Sequence, residues 1–333
     1  MISTYDNFIA VDWAMSNMAI SRLTKHGEIQ TKDVPSSVND LRVYLKNLKG
    51  TKILTIEETT TSQWLYTELR DCVNEMIICD PYRNWLLKEG PKTDKIDSQK
   101  LAQLLRAGLL KPVYHSGEDF IYLRKLVSSY QDIIKTGVAY KNRRAALFRA
   151  YGKSKKSKEV ESELDQFILK KYDENILFYE EQRKEFKEEF KKVHKKYPLI
   201  RKLQTLPGIG LIGAVKTAAI VVNAKRFQEK GDFLSYCGLV RLEKISGGRS
   251  YGSKKPRHCR VLKSVFKTAA LAVIAGKSPD SKWRAYYLEL IKNGRSEQQA
   301  RNAIARRIAV LAYGIMKTGK NYKAKEDITE IKN

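Results

Sequence analysis

The chain has 333 residues, with 63 Lys and Arg against 37 Asp and Glu and a formal net charge of +26, which gives room for about two domains and points to a polyanionic partner. Its longest apolar runs, Leu211–Val222 and Val265–Ala275, are interrupted by Lys216 and Lys267 and are too short to span a bilayer. The polar opening Met1–Asn7 is no signal peptide, so the sequence reads as a cytoplasmic protein with no membrane partner.

Phe8–Trp13 is a short apolar run that fits a buried strand. Met18–Thr24 and Glu28–Val34 fit two more around the turn Lys25-His26-Gly27. Val38–Leu48 has helical spacing, and Lys52–Ile56 is a fourth strand running into Glu57. Ser62–Val73 is amphipathic, with Thr61 or Ser62 as its cap. Glu75–Cys79 is a fifth strand closed by Asp80-Pro81. Thr93 is placed to cap a helix from about Asp94 to Ala107 that ends at Gly108. Three antiparallel strands followed by alternating helix and strand is the order of a ribonuclease-H-like, RuvC-like α/β domain, expected over residues 1–116. That stretch has 15 Lys and Arg against 14 Asp and Glu, and the remainder has 48 against 23, so the polyanion grip lies downstream.

From about Phe120 to Tyr197, Lys, Glu and apolar residues recur at helical spacing, broken at Gly152-Lys153-Ser154. The pattern predicts two long helices, the second over about Ser157–Tyr197, in a coiled-coil arm at residues 117–198 suited to interaction or dimerisation. Residues 199–320 are expected to form a mainly α domain with a Gly/Ser/basic loop at Ile245–Arg257 and a helix over Glu297–Lys317. Residues 321–333 read as a frayed polar tail. Cys72, Cys79, Cys237 and Cys259 have no CxxC spacing and read as reduced thiols, neither a zinc site nor a disulfide framework.

Four acids have the pattern of a metal site. Asp12 follows Phe8-Ile9-Ala10-Val11, and Glu57 follows Ile53-Leu54-Thr55-Ile56. A lone carboxylate at such a place is costly unless it is paired or metal-bound. Asp94 and Asp97 are three apart, so a helix puts them on one face. Alone, those two fit ordinary helix N-terminal acids favoured by the macrodipole. Joined by Asp12 and Glu57, they form a hard-oxygen set for two Mg²⁺ ions, with Mn²⁺ able to substitute, of the kind that clamps attacking and leaving oxygens in phosphoryl transfer. Glu58, on the other face of its strand, is the rival to Glu57.

Leu206-Pro207-Gly208-Ile209-Gly210 matches the turn of a helix-hairpin-helix unit, in which Gly208 and Gly210 would bring backbone N–H groups to a phosphate. A plain helix-breaking turn is the alternative, and the flanking Arg201, Lys202 and Lys216 favour phosphate contact. Arg241–Lys267 holds nine Lys or Arg and one Glu. Within it, Ser246-Gly247-Gly248-Arg249 can present a serine to a phosphate. Arg249, Lys254, Lys255, Arg257 and Arg260 are the candidate nucleic-acid contacts. A Ser-Gly-Gly alone is usually a mobile loop; Ser250 and Ser253 compete with Ser246, and His258 is either a proton carrier or a solvated loop residue.

The run Lys92-Thr93-Asp94-Lys95-Ile96-Asp97-Ser98-Gln99-Lys100-Leu101-Ala102 with Arg106-Ala107-Gly108 closely resembles the signature of the DEDD insertion-sequence transposases of the IS-one-ten type, relatives of the Piv/MooV DNA invertases. Ala10-Val11-Asp12 and Ile56-Glu57-Glu58-Thr59 fall where that family has its first Asp and its Glu-x-Thr. Leu203–Gly213 and Tyr236-Cys237-Gly238-Leu239-Val240 resemble the start of its C-terminal domain, and Ser246-Gly247-Gly248-Arg249 is similar to its Ser-Gly-Gly-Lys segment. The chain departs from the family's run at Gly252-Ser253-Lys254-Lys255-Pro256-Arg257-His258-Cys259-Arg260. The resemblance implies a DNA transposase or recombinase with a RuvC-like metal domain, a coiled-coil arm and a C-terminal domain supplying Ser246 as nucleophile. It also implies a homo-oligomer, dimer or tetramer, in which one subunit's serine meets another's acids. Donor and target DNA would be joined through a phosphoserine link and chosen by a structured guide RNA. A RuvC-like structure-specific endonuclease using water, or a non-catalytic nucleic-acid-binding regulator, is the competing expectation.

Overall fold

A computed structural model describes residues 5–82, 93–115, 120–154, 160–276 and 281–322, in two compact units, residues 1–118 and 119–333. The first unit is a mixed α/β domain. Its elements in chain order are β1 (Asn7–Trp13), β2 (Asn17–Thr24), β3 (Ile29–Pro35), α1 (Val38–Asn47), β4 (Lys52–Glu57), α2 (Ser62–Leu69), β5 (Glu75–Cys79) and α3 (Asp94–Arg106). The sheet runs β3-β2-β1-β4-β5; β1, β2 and β3 pair antiparallel, and β4 and β5 join parallel to β1. The predicted helix Ser62–Val73 ends earlier, at Leu69, and finishes in a short 3₁₀ turn over Arg70–Cys72.

Alternation along β1 and β4 sorts the core into two layers. Ile9 and Val11 of β1, with Leu54 and Ile56 of β4, pack on Leu41, Leu45, Leu65 and Leu69 of α1 and α2. Phe8, Ala10, Ile53 and Cys79 face the other way, onto Leu101, Ala102 and Leu105 of α3. Burial on both faces accounts for the unbroken apolar run at Phe8–Val11. Each fully buried aliphatic side chain here contributes about 1.5–3 kcal/mol relative to exposure. Local caps fix the helices that cover the sheet: the Ser37 hydroxyl accepts from the Asp40 N–H, and the Thr93 hydroxyl accepts from the Ile96 N–H.

The second unit opens with α4 (Ile121–Ala150) and α5 (Glu163–Lys196), an antiparallel helical hairpin. Lys141 pairs with Glu180 at 2.5 Å and Arg144 with Asp173 at 2.6 Å, a descending register that fixes the direction. Gly137 sits where a Cβ would lie 2.3 Å from the Tyr179 ring. A mid-helix glycine, which disfavours α4 by about 0.5–1 kcal/mol, is therefore required by close helix approach. The second helix starts at Glu163 rather than near Ser157, which itself lies outside the described residues. Val160 is buried with Phe148 and Leu169 at the hairpin tip, holding the chain out of helix until Ser162.

The root of the hairpin (Leu123, Val127, Tyr130, Phe190, Val193) belongs to one core with the helices that follow. These are α6 (Pro198–Gln204), α7 (Leu211–Val221), α8 (Lys230–Tyr236), α9 (Arg260–Ile274), α10 (Ser281–Lys292) and α11 (Glu297–Thr318). Between α8 and α9, the stretch expected to be a loop at Ile245–Arg257 is instead largely a two-stranded hairpin, β6 (Leu242–Ser246) and β7 (Arg249–Lys254). Gly247 and Gly248 have φ of 54° and 74°, the two left-handed residues of the tight turn whose twist matches a hairpin. The expected tail at 321–333 lies outside the described residues from 323 onward. Among the described residues no helix is long and apolar enough to cross a membrane. The four cysteines are free thiols, and burial pushes the Cys237 thiol far above its usual range.

Candidate functional site

The four acids are positioned by two strand ends and one helix start. Val11 of β1 pairs with Ile56 of β4 in parallel register, so Asp12 and Glu57, one step further along each strand, are neighbours at the same sheet edge. Residue parity assigns their face. Phe8, Ala10 and Ile53 lie under α3, so Asp12 and Glu57 belong to the α3 side. On α3, Asp97 heads the stripe that continues through Leu101 and Leu104 or Leu105 onto the sheet, and Asp94 lies one turn earlier, exposed. The start of α3 is tied down by hydrogen bonds to the antiparallel strands. The Ser98 and Ser21 hydroxyls are 2.8 Å apart, and the Gln99 amide donates to the Thr31 hydroxyl at 2.9 Å.

Glu58 is separated from this set. It accepts from the Ser62 hydroxyl at 3.1 Å and its Oε2 stands 2.5 Å from His115 Nε2. His115 Nδ1 in turn lies 3.1 Å from Gln63 Oε1. Glu58 thus fastens the segment after α3, through His115, to α2, on the α1–α2 side of the sheet.

The residues on this face suit a divalent metal in their chemistry. Asp97 Oδ1 is buried without a hydrogen-bond partner, and so is Thr55 Oγ1, whose parity in β4 puts it on the same face. A buried oxygen of this kind costs about 1–3 kcal/mol if nothing satisfies it, and a hard carboxylate set suits Mg²⁺. Among the described residues, however, no three His, Cys, Asp or Glu side chains already stand close enough to hold a metal ion. The donor chemistry fits, and the four carboxylates share a face without closing on one point.

Ser246 lies exposed at the end of β6, across the Gly247-Gly248 turn from its register partner Arg249. Its rivals are placed differently. The Ser253 hydroxyl accepts from Arg241 Nε at 2.7 Å while the Arg241 guanidinium also donates to the Ser253 carbonyl, so Ser253 belongs to the root of the hairpin. Ser250 pairs with Ile245 inside the ladder. His258 donates through Nδ1 to the Pro256 carbonyl at 2.8 Å and lies 3.3 Å from Lys263 Nζ through Nε2, so it is part-buried and engaged rather than a solvated loop residue. Arg249, Lys254, Lys255, Arg257 and Arg260 are all exposed.

The turn Leu206–Gly210 joins α6 to α7. Gly208, at φ +75°, has its Cα against α9, where a Cβ would sit 2.4 Å from the Ala269 carbonyl oxygen. Packing therefore accounts for that glycine. Gly210 is the N-cap of α7 and its Cβ position opens onto free space.

Sequence reading missed one feature. A cavity of about 680 Å³ is lined by Arg241, Lys255, Lys263, Lys267, Arg295 and Arg306, with the amides of Gln298, Gln299 and Asn302 and, among the described residues, no carboxylate. Among the described residues none of the six cations forms an ion pair. Burial, and then the charges of Lys255 and Lys267, hold the Lys263 ammonium below its usual range. Lys263 and Lys267 are one turn apart on α9, while Arg295, Gln299, Asn302 and Arg306 recur at helical spacing before and along α11. The basic density of Arg241–Lys267 was visible in sequence; its closure by a helix some 30 residues later was not.

Two family models match the chain. Residues 9–152 match a model of DEDD transposases described as "Transposase", and residues 200–288 match the model described as "Transposase IS116/IS110/IS902 family". Together they span more than half of the chain and include all four acids, the α6–α7 turn and Ser246. The chain is 25% identical over 265 residues to "Putative transposase y4qE" of Sinorhizobium fredii, covering 72% of this chain. It is 24% identical over 145 residues to "Insertion element IS110 uncharacterized 43.6 kDa protein" of Streptomyces coelicolor, covering 44% of this chain. The matched stretches span 64% and 35% of those relatives' own lengths.

Proposed function

We propose, from the premise that this chain belongs to the IS110 group of transposases, that it cuts and rejoins DNA by phosphoryl transfer at Asp12, Glu57, Asp94 and Asp97, with Ser246 as nucleophile. The observation that carries the reading is the common α3-side placement of the acids, with Asp97 Oδ1 buried and partnerless. The sheet order β3-β2-β1-β4-β5 supports a ribonuclease-H-like domain for residues 1–116.

Divalent metal, two Mg²⁺ in this proposal, would be held by those four carboxylates, and when bound it supplies charge neutralisation at the scissile phosphate. The chain's own residues do the rest. Ser21, Thr31, Ser98 and Gln99 hold the start of α3 against β2 and β3, which fixes where Asp94 and Asp97 point. The Ser246 oxygen attacks phosphorus: an Oγ–P bond forms, the P–O bond to the departing strand breaks, the Oγ proton is lost and the departing oxygen takes one up. Arg249 and the neighbouring cations stabilise the charge that develops. A second transfer, to a hydroxyl of the other DNA, releases the serine and completes exchange. The helical hairpin serves as a coiled-coil arm in a dimer or tetramer, the α6–α7 turn acts as a helix-hairpin-helix contact through Gly210, and a structured RNA guides the choice of donor and target.

Trapping decides between this and its rivals. Incubated with end-labelled DNA and Mg²⁺, the protein should give a covalent adduct on a denaturing gel. Asp97→Asn and Ser246→Ala should both lose it, while Ser253→Ala retains it. Cleavage without adduct, unchanged in Ser246→Ala, would assign the nuclease reading with water as nucleophile. Unchanged activity of Asp97→Asn would sink the metal site.

A further inference from the structure

We propose that the cavity between α9 and α11 seats the backbone of one nucleic-acid strand, a few consecutive phosphates, as a site at the root of the hairpin and distinct from the turn that carries Ser246. The inference rests on the nucleic-acid reading above and goes beyond it by naming a site and the form of its ligand.

The first argument is charge. Six cations line about 680 Å³ with no carboxylate among the described lining residues. Like charges so grouped repel one another, and three of them, Lys263, Lys267 and Arg306, are half-buried, so an entering anion stabilises the set. A ligand with several anionic groups, spaced as successive phosphates are, can neutralise cations from α9, α11 and the hairpin root together.

The second argument is shape. A smaller cavity of about 230 Å³ shares Lys267, Gln298 and Asn302 with the first and extends past Leu271 and Arg301. The two form a groove along α9 and α11, which suits a chain rather than a compact ion. Hollows of these volumes take an extended single strand and do not enclose a duplex.

The third argument is what the lining lacks. Among the described residues no aromatic side chain lines the cavity, so its lining offers no platform for the base stacking that gives single-strand sites about 1–3 kcal/mol per base. Recognition is by phosphate, and base sequence has little effect. The amides of Gln298 and Asn302 are placed to bond sugar or phosphate oxygens. DNA and RNA strands share the phosphodiester chemistry, and the test separates them.

The experiment measures affinity of the full chain for labelled oligo-dT, oligo-U and a blunt DNA duplex across a salt series, by fluorescence anisotropy. Each phosphate contact on a single strand contributes about 0.7 to the slope of log K against log salt. The triple substitution Lys263→Gln, Lys267→Gln, Arg306→Gln should therefore flatten that slope by about 2 for oligo-dT, oligo-U or both, and the strand affected identifies the ligand. The duplex slope should not change. Lys263→Arg with Lys267→Arg keeps the charges and should bind as the parent does, and thermal melting confirms that each variant is folded. Parent-like single-strand slopes in the folded triple variant overturn the cavity site and leave the transposase reading standing; an equal loss on duplex overturns the single-strand assignment. If the unsubstituted protein binds none of the three, the nucleic-acid reading itself falls.

Discussion

The division of labour between Glu57 and Glu58 offers the sharpest prediction, because adjacent residues, the last of β4 and the one that follows it, are given opposite roles. Glu58→Ala removes two contacts, the 3.1 Å bond from Ser62 and the 2.5 Å bond to His115, whose side chain is only 5% exposed. A hydrogen bond with a charged partner contributes about 1.5–3 kcal/mol. Glu58 is 39% exposed at its side chain, and solvent screening reduces the net loss to roughly 1–2 kcal/mol. For a unit of this size that is a fall in melting temperature of roughly 3–8 °C. Activity per folded molecule should persist, since Glu58 points away from α3. Glu57→Gln reverses the pattern: DNA cleavage in Mg²⁺ is lost while the fold is kept. Melting curves paired with a cleavage assay at a temperature where both variants are folded provide the check. Loss of cleavage in Glu58→Ala together with a fully active Glu57→Gln would show that the face assignment from strand parity is wrong.

The two glycines of the α6–α7 turn should also behave differently. Gly208→Ala puts a methyl 2.4 Å from the Ala269 carbonyl at φ +75°, a strain of about 1–2 kcal/mol for the backbone and about 1–3 kcal/mol for overpacking; denaturant unfolding should reveal it. Gly210→Ala meets open space and costs at most about 1 kcal/mol as a poorer N-cap; a larger loss of stability there would refute the packing account of this turn. At low pH, Asp6 should matter through its charge: Lys25 first, then the Thr51 backbone and hydroxyl, hold its carboxyl down at about 2 from an ordinary 3.8. Because the folded value is the lower one, Asp6 stabilises the first unit above about pH 4 and that contribution disappears as pH falls toward 2. The stability difference between the parent and Asp6→Asn, followed by chemical denaturation, should shrink over that window and not at neutral pH.

Much of the first unit was legible because its signals are local. Thr93 caps α3 through Ile96 as its position before Asp94 implies, and β1 and β4 are the two apolar runs that end in acids. Alternation within β4 allowed either Glu57 or Glu58 to face the site; only the packing of Phe8, Ala10 and Ile53 under α3 decides it. The β6–β7 hairpin escaped notice for a different reason. Every residue in both strands is exposed, so no buried face imposes an alternation on the sequence, and the Gly247-Gly248 pair was its one strong mark. The late start of α5 depends on Val160 packing onto Phe148 and Leu169, contacts between opposite sides of a hairpin.

The cation-lined cavity was illegible in principle, since its parts come from residues 238–241, 255–267 and 295–306 and no periodicity in one stretch reports on another. Its charges and the acids of the first unit nevertheless obey one rule. Natural sequences satisfy most local preferences and break them where function requires it. Here the breaches are of opposite sign: a buried carboxylate oxygen with no donor at Asp97, and six cations that form no ion pair among the described residues around one hollow. Structural need explains neither, because replacing Asp97 by a neutral residue, or adding one carboxylate to the cavity wall, would relieve each at small cost. A cation would complete the first and a phosphate chain the second, the two ligands that the proposed phosphoryl transfer on nucleic acid calls for.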